Sequence, residues 1–288
     1  MQRQPIGSQF STFLKSGSLL SILVIVNVAV WVLTLLFPLV DYLYAMPRGT
    51  AREGWLAWLA LSSQWGDLLR HPWTIATYMF LHDGVWHLLF NMLMLYWGGV
   101  LFCRYLGTRR FGWVYFICGL AGALLYLLVY NLFPVGRMQV STLVGASAAV
   151  LGVFVAVAAY VPQQEVQLWL VRTFSVRIWQ VAVALVIIDL LSISVSNAGG
   201  HIAHLGGALT GWLFVVVMRW MERRRTRAPR KRRAPRQRHK AQRPVTDEDY
   251  NRRRNADQKR VDEILDKISK SGYEHLTREE KEFLFHYK

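Results

Sequence analysis

Residues 142–161 read TLVGASAAVLGVFVAVAAYV, and none of these twenty positions is charged. A bilayer core takes roughly 20 apolar residues of helix. The stretch therefore reads as a membrane-spanning helix, with Gly145-Ala146-Ser147 as a small polar notch near its start. Five more runs pass the same test: Ser18–Val40, Val85–Cys103, Phe111–Leu132, Val176–Ile193 and Gly199–Met221. Lipid leaves backbone groups no water to bond, so such runs must be helical. The expectation is an all-α, polytopic membrane protein with six transmembrane helices.

Composition supports that division. The chain has 288 residues, 53% of them hydrophobic, yet its net charge is +16. Residues 222–288 hold 22 Lys/Arg against 12 Asp/Glu, and the preceding residues only 12 against 6. A soluble enzyme, a collagen-like chain and a fully disordered chain are excluded. The two cysteines, Cys103 and Cys118, sit in apolar runs and read as small core hydrophobes, which excludes a disulfide framework. The first apolar run is long enough to span and has no small-residue cleavage site, so it is not expected to be a cleaved signal peptide.

Four segments follow: a cytosolic stretch 1–17, a membrane domain 18–221, a basic linker 222–256 and a small helical hairpin 257–288. Lys and Arg concentrate in cytoplasmic loops. Arg104, Arg109 and Arg110 fill the loop between the second and third runs, Arg172 and Arg177 the loop between the fourth and fifth, and Arg223, Arg224 and Arg225 follow the sixth. The other side has Arg137 and the diluted Arg48, Arg52 and Arg70. Both termini are thus expected in the cytoplasm, with a bacterial inner (cell) membrane as the location. Trp55, Trp58, Trp65 and Trp73 make the first long loop an interfacial, partly submerged segment.

In the tail, Arg223–Arg243 carries 12 Lys/Arg and no acid. It is too charged to fold alone and suits an anionic lipid surface. No aromatic side chain is interleaved there for base stacking, so nucleic acid is not an expected partner. Val261, Ile264, Leu265 and Ile268 form a helical stripe, Gly272 can end it, and Thr277 with Glu280 has capping-box spacing. A hairpin this small is marginal alone and is expected to need a partner or self-association.

Polar groups at membrane depth are costly and mark function. His82, His87 and Asn91 open the second run, Ser147 lies in the fourth, and His201 and His204 lie in the sixth. Counted at about 1.5 Å per residue, Asn91, Ser147 and His204 each sit roughly 8–9 Å below the outer surface. Three helices thus place polar groups at one depth. A serine needs an adjacent base to act as a nucleophile, and neutral histidine is the usual one. Ser147 with His204 is the favoured pair, because Gly207 and Gly211 after His204, and Gly145 and Gly152 around Ser147, let two helices approach closely. His201 is the competing base. His87 and Asn91, at i and i+4, share a face and can donate to an oxyanion with the Ser147 amide. Asp189, in the fifth run, is expected to bond a neighbouring helix, with a gating role beside that helix as the second reading.

The motifs His82-x4-His87-x3-Asn91, Gly145-x-Ser147 and Ala203-His204-x2-Gly207-x3-Gly211 resemble those of the rhomboid intramembrane serine proteases over about residues 18–221. The resemblance implies a six-helix bundle with a water-filled cavity open to the outer face. It also implies a Ser–His dyad without a carboxylate third member. Ser147 would be the nucleophile, His204 the general base and acid, and His87 and Asn91 the oxyanion donors. His82 would hold the end of the second helix and the long loop. Single-span membrane proteins would be the substrates, cut near the outer end of their helix, with no cofactor and no metal. Three positions depart from the family pattern. Ala148 replaces a glycine after the nucleophile, Leu151 an aromatic four residues on, and Trp73-Thr74 a Trp-Arg pair. Two other classes stay open: a non-enzymatic binder of membrane helices, and a protein using its histidines to ligate zinc or haem.

Overall fold

The computed structural model describes residues 6–134, 140–167, 175–227 and 247–287. They fall into two compact units divided after Arg227. The first contains helices α1 (Ile6–Lys15), α2 (Leu19–Thr34), α3 (Phe37–Leu43), α4 (Thr50–Leu59), α5 (Trp65–Arg70), α6 (Thr74–Thr77), α7 (Val85–Leu106), α8 (Thr108–Leu132), α9 (Ser147–Tyr160), α10 (Ile178–Ser192) and α11 (Ala198–Arg227). Among the described residues, four stretches are long and apolar enough to cross a membrane: Leu19–Leu43, Val85–Leu106, Thr108–Leu132 and Ala198–Arg224. Ser147–Tyr160 and Ile178–Ser192 are apolar but shorter. The unit is an all-α, multi-pass membrane bundle.

All six apolar runs are helical, with shifted ends. Ser18 caps α2 by accepting from the Ser21 amide at 3.2 Å. The fourth run becomes helical only at Ser147. Before it, Thr142 and Leu143 form strand β2, paired antiparallel with β1 (Leu61–Ser62) from the long loop. Gly145 follows at φ +123°, which a side chain would resist. Strands β3 (Glu165–Gln167) and β4 (Ser175–Arg177) pair between α9 and α10, so the fifth helix starts at Ile178. Arg137 and Arg172, which count toward the expected orientation, lie outside the described residues.

Helix α9 packs against α7, α8 and α11, and its residues Ala148 to Phe154 are all buried. The α9–α11 contact is backbone against backbone. A Cβ on Gly207 would lie 2.0 Å from the Ala148 carbonyl oxygen, and one on Gly211 2.0 Å from that of Gly152. Residues without side chains therefore set this interhelical distance, as the glycine spacing predicts.

The long loop is folded. Both Asp41 carboxylate oxygens accept at the start of α4, from the Gly49 amide at 2.7 Å and the Ala51 amide at 2.8 Å. Trp58 and Trp73 stack with centroids 5.8 Å apart, and Trp73 Nε1 donates to the Trp58 carbonyl. Trp58 remains 60% exposed, which suits an indole facing a membrane interface.

The second unit contains helices α12 (Asp247–Ser271) and α13 (Arg278–His286). Gly272, at φ +80°, ends α12. Thr277 Oγ1 accepts from the Glu280 amide, and the Glu280 carboxylate accepts from the Thr277 amide, which completes the expected box. Val261 and Ile264 are buried, but Leu265 is exposed and leaves the stripe. The expected linker 222–256 is shorter at both ends. α11 continues to Arg227 and α12 begins at Asp247, and residues 228–246 lie outside the described residues. Arginines suit a helix C-terminus and Asp247 with Glu248 a helix N-terminus, so charge extends both helices into the segment.

Candidate active site

Ser147 is the first residue of α9, and the turn before it is fixed to the long loop. The Gly145 amide donates to the Tyr78 carbonyl at 2.9 Å, and Tyr78 is anchored in turn by its hydroxyl on the Gly119 carbonyl at 2.7 Å. A Cβ on Gly145 would stand 2.9 Å from His87 Nε2 and 3.4 Å from Ser147 Oγ. The bare glycine thus lets the His87 imidazole lie beside the serine hydroxyl. As an opening helical residue, Ser147 has an amide without an intrahelical acceptor, at the positive end of the α9 dipole. Asn91, one turn along α7 from His87, is buried and donates one amide hydrogen to the His87 carbonyl at 2.9 Å. Its second amide hydrogen is the one left for a ligand.

His204, on α11, meets Ser147 across the glycine-lined contact, with Nε2 2.6 Å from Ser147 Oγ. Gly207 and Gly211, one and two turns further on, hold the two helices at that distance. Ala148 fits because Gly122 faces it without a side chain: a Cβ there would lie 2.7 Å from the Ala148 methyl.

His201 is turned elsewhere. Its Nδ1 lies 2.7 Å from Asp189 Oδ1, and His204 Nδ1 lies 2.7 Å from the same oxygen. Asp189, on α10, is buried at 7% exposure. The expectation that it bonds a neighbouring helix is met, with two donors on α11. The resemblance implies a dyad without a carboxylate partner; here the Asp189 carboxylate lies against the far nitrogen of the His204 ring. The sequence carries a signal for this contact. A carboxylate in an apolar helix requires partners, and the only ionisable groups nearby in the next run are His201 and His204.

His82 is also buried, with its ring centroid 5.0 Å from that of His87. Burial, with His87 beside it, pushes its pKa down to about 3. Its ring packs edge-on against that of His87 at the start of α7.

Asp189, His201 and His204 form a group whose donor atoms lie within 4.8 Å of one another. Ligands held at ~2.1 Å in a tetrahedron stand ~3.4 Å apart. The two 2.7 Å contacts are instead hydrogen-bond spacings, in which the atoms face each other rather than a common centre.

Residues 69–221 match the Rhomboid domain family, and residues 246–287 match a family of unknown function, DUF6576. The chain is 32% identical over 158 residues to RHOMBOID-like protein 4 of Arabidopsis thaliana, covering 53% of this chain and 37% of that protein. It is 30% identical over 149 residues to RHOMBOID-like protein 2 of the same plant, covering 51% and 43%. It is likewise 30% identical over 149 residues to RHOMBOID-like protein 6, mitochondrial, covering 51% and 44%. The chain spans less than half the length of these relatives.

Proposed function

Because the chain belongs to the rhomboid family, we propose that it is an intramembrane serine endopeptidase that cuts single-span membrane proteins near the outer face. The observation that carries this reading is the 2.6 Å contact between Ser147 Oγ and His204 Nε2. Ser147 Oγ attacks the scissile carbonyl carbon while its proton passes to His204 Nε2. The oxyanion takes hydrogen bonds from the Ser147 amide, His87 and Asn91. Collapse returns the Nε2 proton to the departing amine and leaves an ester on Ser147. Water, deprotonated by the same nitrogen, then releases the acid. His82 holds the end of the second helix and the long loop. The site is built from this chain's own side chains, and the reading includes no cofactor or metal.

In this reading six helices span the membrane between residues 18 and 221, with both termini in the cytoplasm of a bacterial inner membrane. The basic stretch beyond Arg223 lies on anionic lipid. The C-terminal hairpin serves a partner or self-association.

The test is cleavage of a single-span substrate in proteoliposomes, with fluorophosphonate labelling alongside. Wild type should label and cleave. Ser147→Ala should do neither, and His204→Ala should lose at least about 10³-fold in turnover. A folded wild type that neither labels nor cleaves would instead favour a non-enzymatic binder of membrane helices.

A further inference from the structure

We propose that Asp189 is a positioning residue for His204, and that the hydrolytic site is a Ser147–His204–Asp189 series in which His201 anchors the carboxylate. The inference rests on the protease reading above.

The argument begins with the tautomer. A neutral imidazole has one N–H and one lone pair. To take the Ser147 proton, His204 must present its lone pair at Nε2 and carry its hydrogen at Nδ1. An ionised carboxylate only accepts, so Asp189 Oδ1 at 2.7 Å selects the Nδ1–H form. Without that acceptor, His204 can flip or exchange tautomers and point N–H at the serine, where it cannot act as a base. During attack, Nε2 receives the Ser147 proton, the Nδ1 proton stays on His204, and the carboxylate faces the resulting imidazolium. No proton moves to Asp189.

The second step concerns cost. A buried carboxylate is expensive without donors. One donor from the catalytic ring would leave Asp189 poorly satisfied whenever that ring moved. His201 provides a second donor to the same oxygen, also at 2.7 Å. It lies one turn before His204 on α11, and the two rings are nearly perpendicular at 87°. His201 has no contact with Ser147 among the described hydrogen bonds, so its role is to hold Asp189 on α10 in register with α11. The α10–α11 connection gives this arrangement a short path, since Asp189 and His201 are 12 residues apart.

The experiment compares wild type, Asp189→Asn, His201→Ala and Ser147→Ala in the full chain, reconstituted in proteoliposomes. Active sites are counted by fluorophosphonate end-point, and turnover is expressed per labelled site. Asp189→Asn should lower kcat by about 10²- to 10⁴-fold with KM within about 2-fold of wild type. His201→Ala should lower kcat by less than about 10-fold. A merely structural Asp189 would reduce the number of labelled sites and the unfolding temperature, with turnover per site unchanged, and that result would overturn the proposal. Should Asp189→Asn fail to fold, the His204 Nδ1 proton of wild type decides by ¹⁵N–¹H NMR. A bonded Nδ1–H resonance is expected, and a neutral His204 protonated at Nε2 would overturn the assignment. Loss of cleavage in Ser147→Ala with full turnover in Asp189→Asn would sink this inference alone. Absence of labelling and cleavage in wild type would sink the protease reading with it.

Discussion

Helices α9 and α11 are joined by missing side chains, and helices α12 and α13 by long ones. In the first pair, Gly207 and Gly211 press against the carbonyls of Ala148 and Gly152. In the second, Lys267 reaches across to Glu280 at 2.9 Å, with the lysine side chain 41% exposed. A backbone contact has no rotamers to adjust and fixes distance to a fraction of an ångström. A lysine bridge tolerates several placements and is screened by salt. The Ser147–His204 contact belongs to the rigid pair, where a hydroxyl lies within hydrogen-bond reach of a ring nitrogen.

The sharpest way to break this contrast is to fill the rigid contact. Gly207→Val places a branched side chain where even a Cβ meets a carbonyl oxygen at 2.0 Å. It should destabilise the membrane unit by about 3 kcal/mol or more and lower cleavage by about 100-fold or more. Thermal unfolding and turnover in the same liposomes measure both, and wild-type activity would show that the close approach does not set the site. Gly145→Ala should have a smaller effect, about 1–3 kcal/mol of backbone strain at φ +123°. Its methyl, 2.9 Å from His87 Nε2, should cut kcat about 10-fold while leaving KM nearly unchanged. A rise in KM with kcat unchanged would instead place His87 in substrate binding.

The mildest expected effect is in the hairpin. Lys267, with the Thr277 amide, holds the Glu280 carboxyl below its usual range. Its contribution is therefore complete above the ordinary carboxylate pKa of about 4.3 and is lost as pH falls through the lower, folded value. Hydrogen exchange over 247–287 in the full chain, corrected for intrinsic rates, should accelerate on acidification. Lys267→Ala should accelerate it already at pH 7, with cleavage within about 2-fold of wild type. A matching loss of cleavage would mean that the two units are coupled.

Much of the site is readable in the chain because it depends on local spacing. His87 and Asn91 share a helix face, and Ser147 lies two residues after a glycine that must turn. His204 precedes two glycines at one and two turns. The fourth helix start at Ser147 is harder to read, since Thr142 and Leu143 are apolar enough to continue a helix and are drawn into a strand by Leu61 and Ser62, far away in sequence. Asp189 is visible as a buried charge, but the partner it finds depends on how α10 packs beside α11. Residues 247–256 hide for the opposite reason. DEDYNRRRNA has no apolar stripe, so periodicity offers no trace of the helix that charge and its continuation into Val261 and Ile264 support.

The turn that presents Ser147 is fastened to the long loop at three places: the Ser63 amide on the Ser141 carbonyl, the Leu61–Leu143 pairing, and the Gly145 amide on the Tyr78 carbonyl. Mechanically these are rivets along one seam. Residues 61–78 are therefore chassis rather than cover. Any force that lifts them is transmitted to the serine within a few bonds.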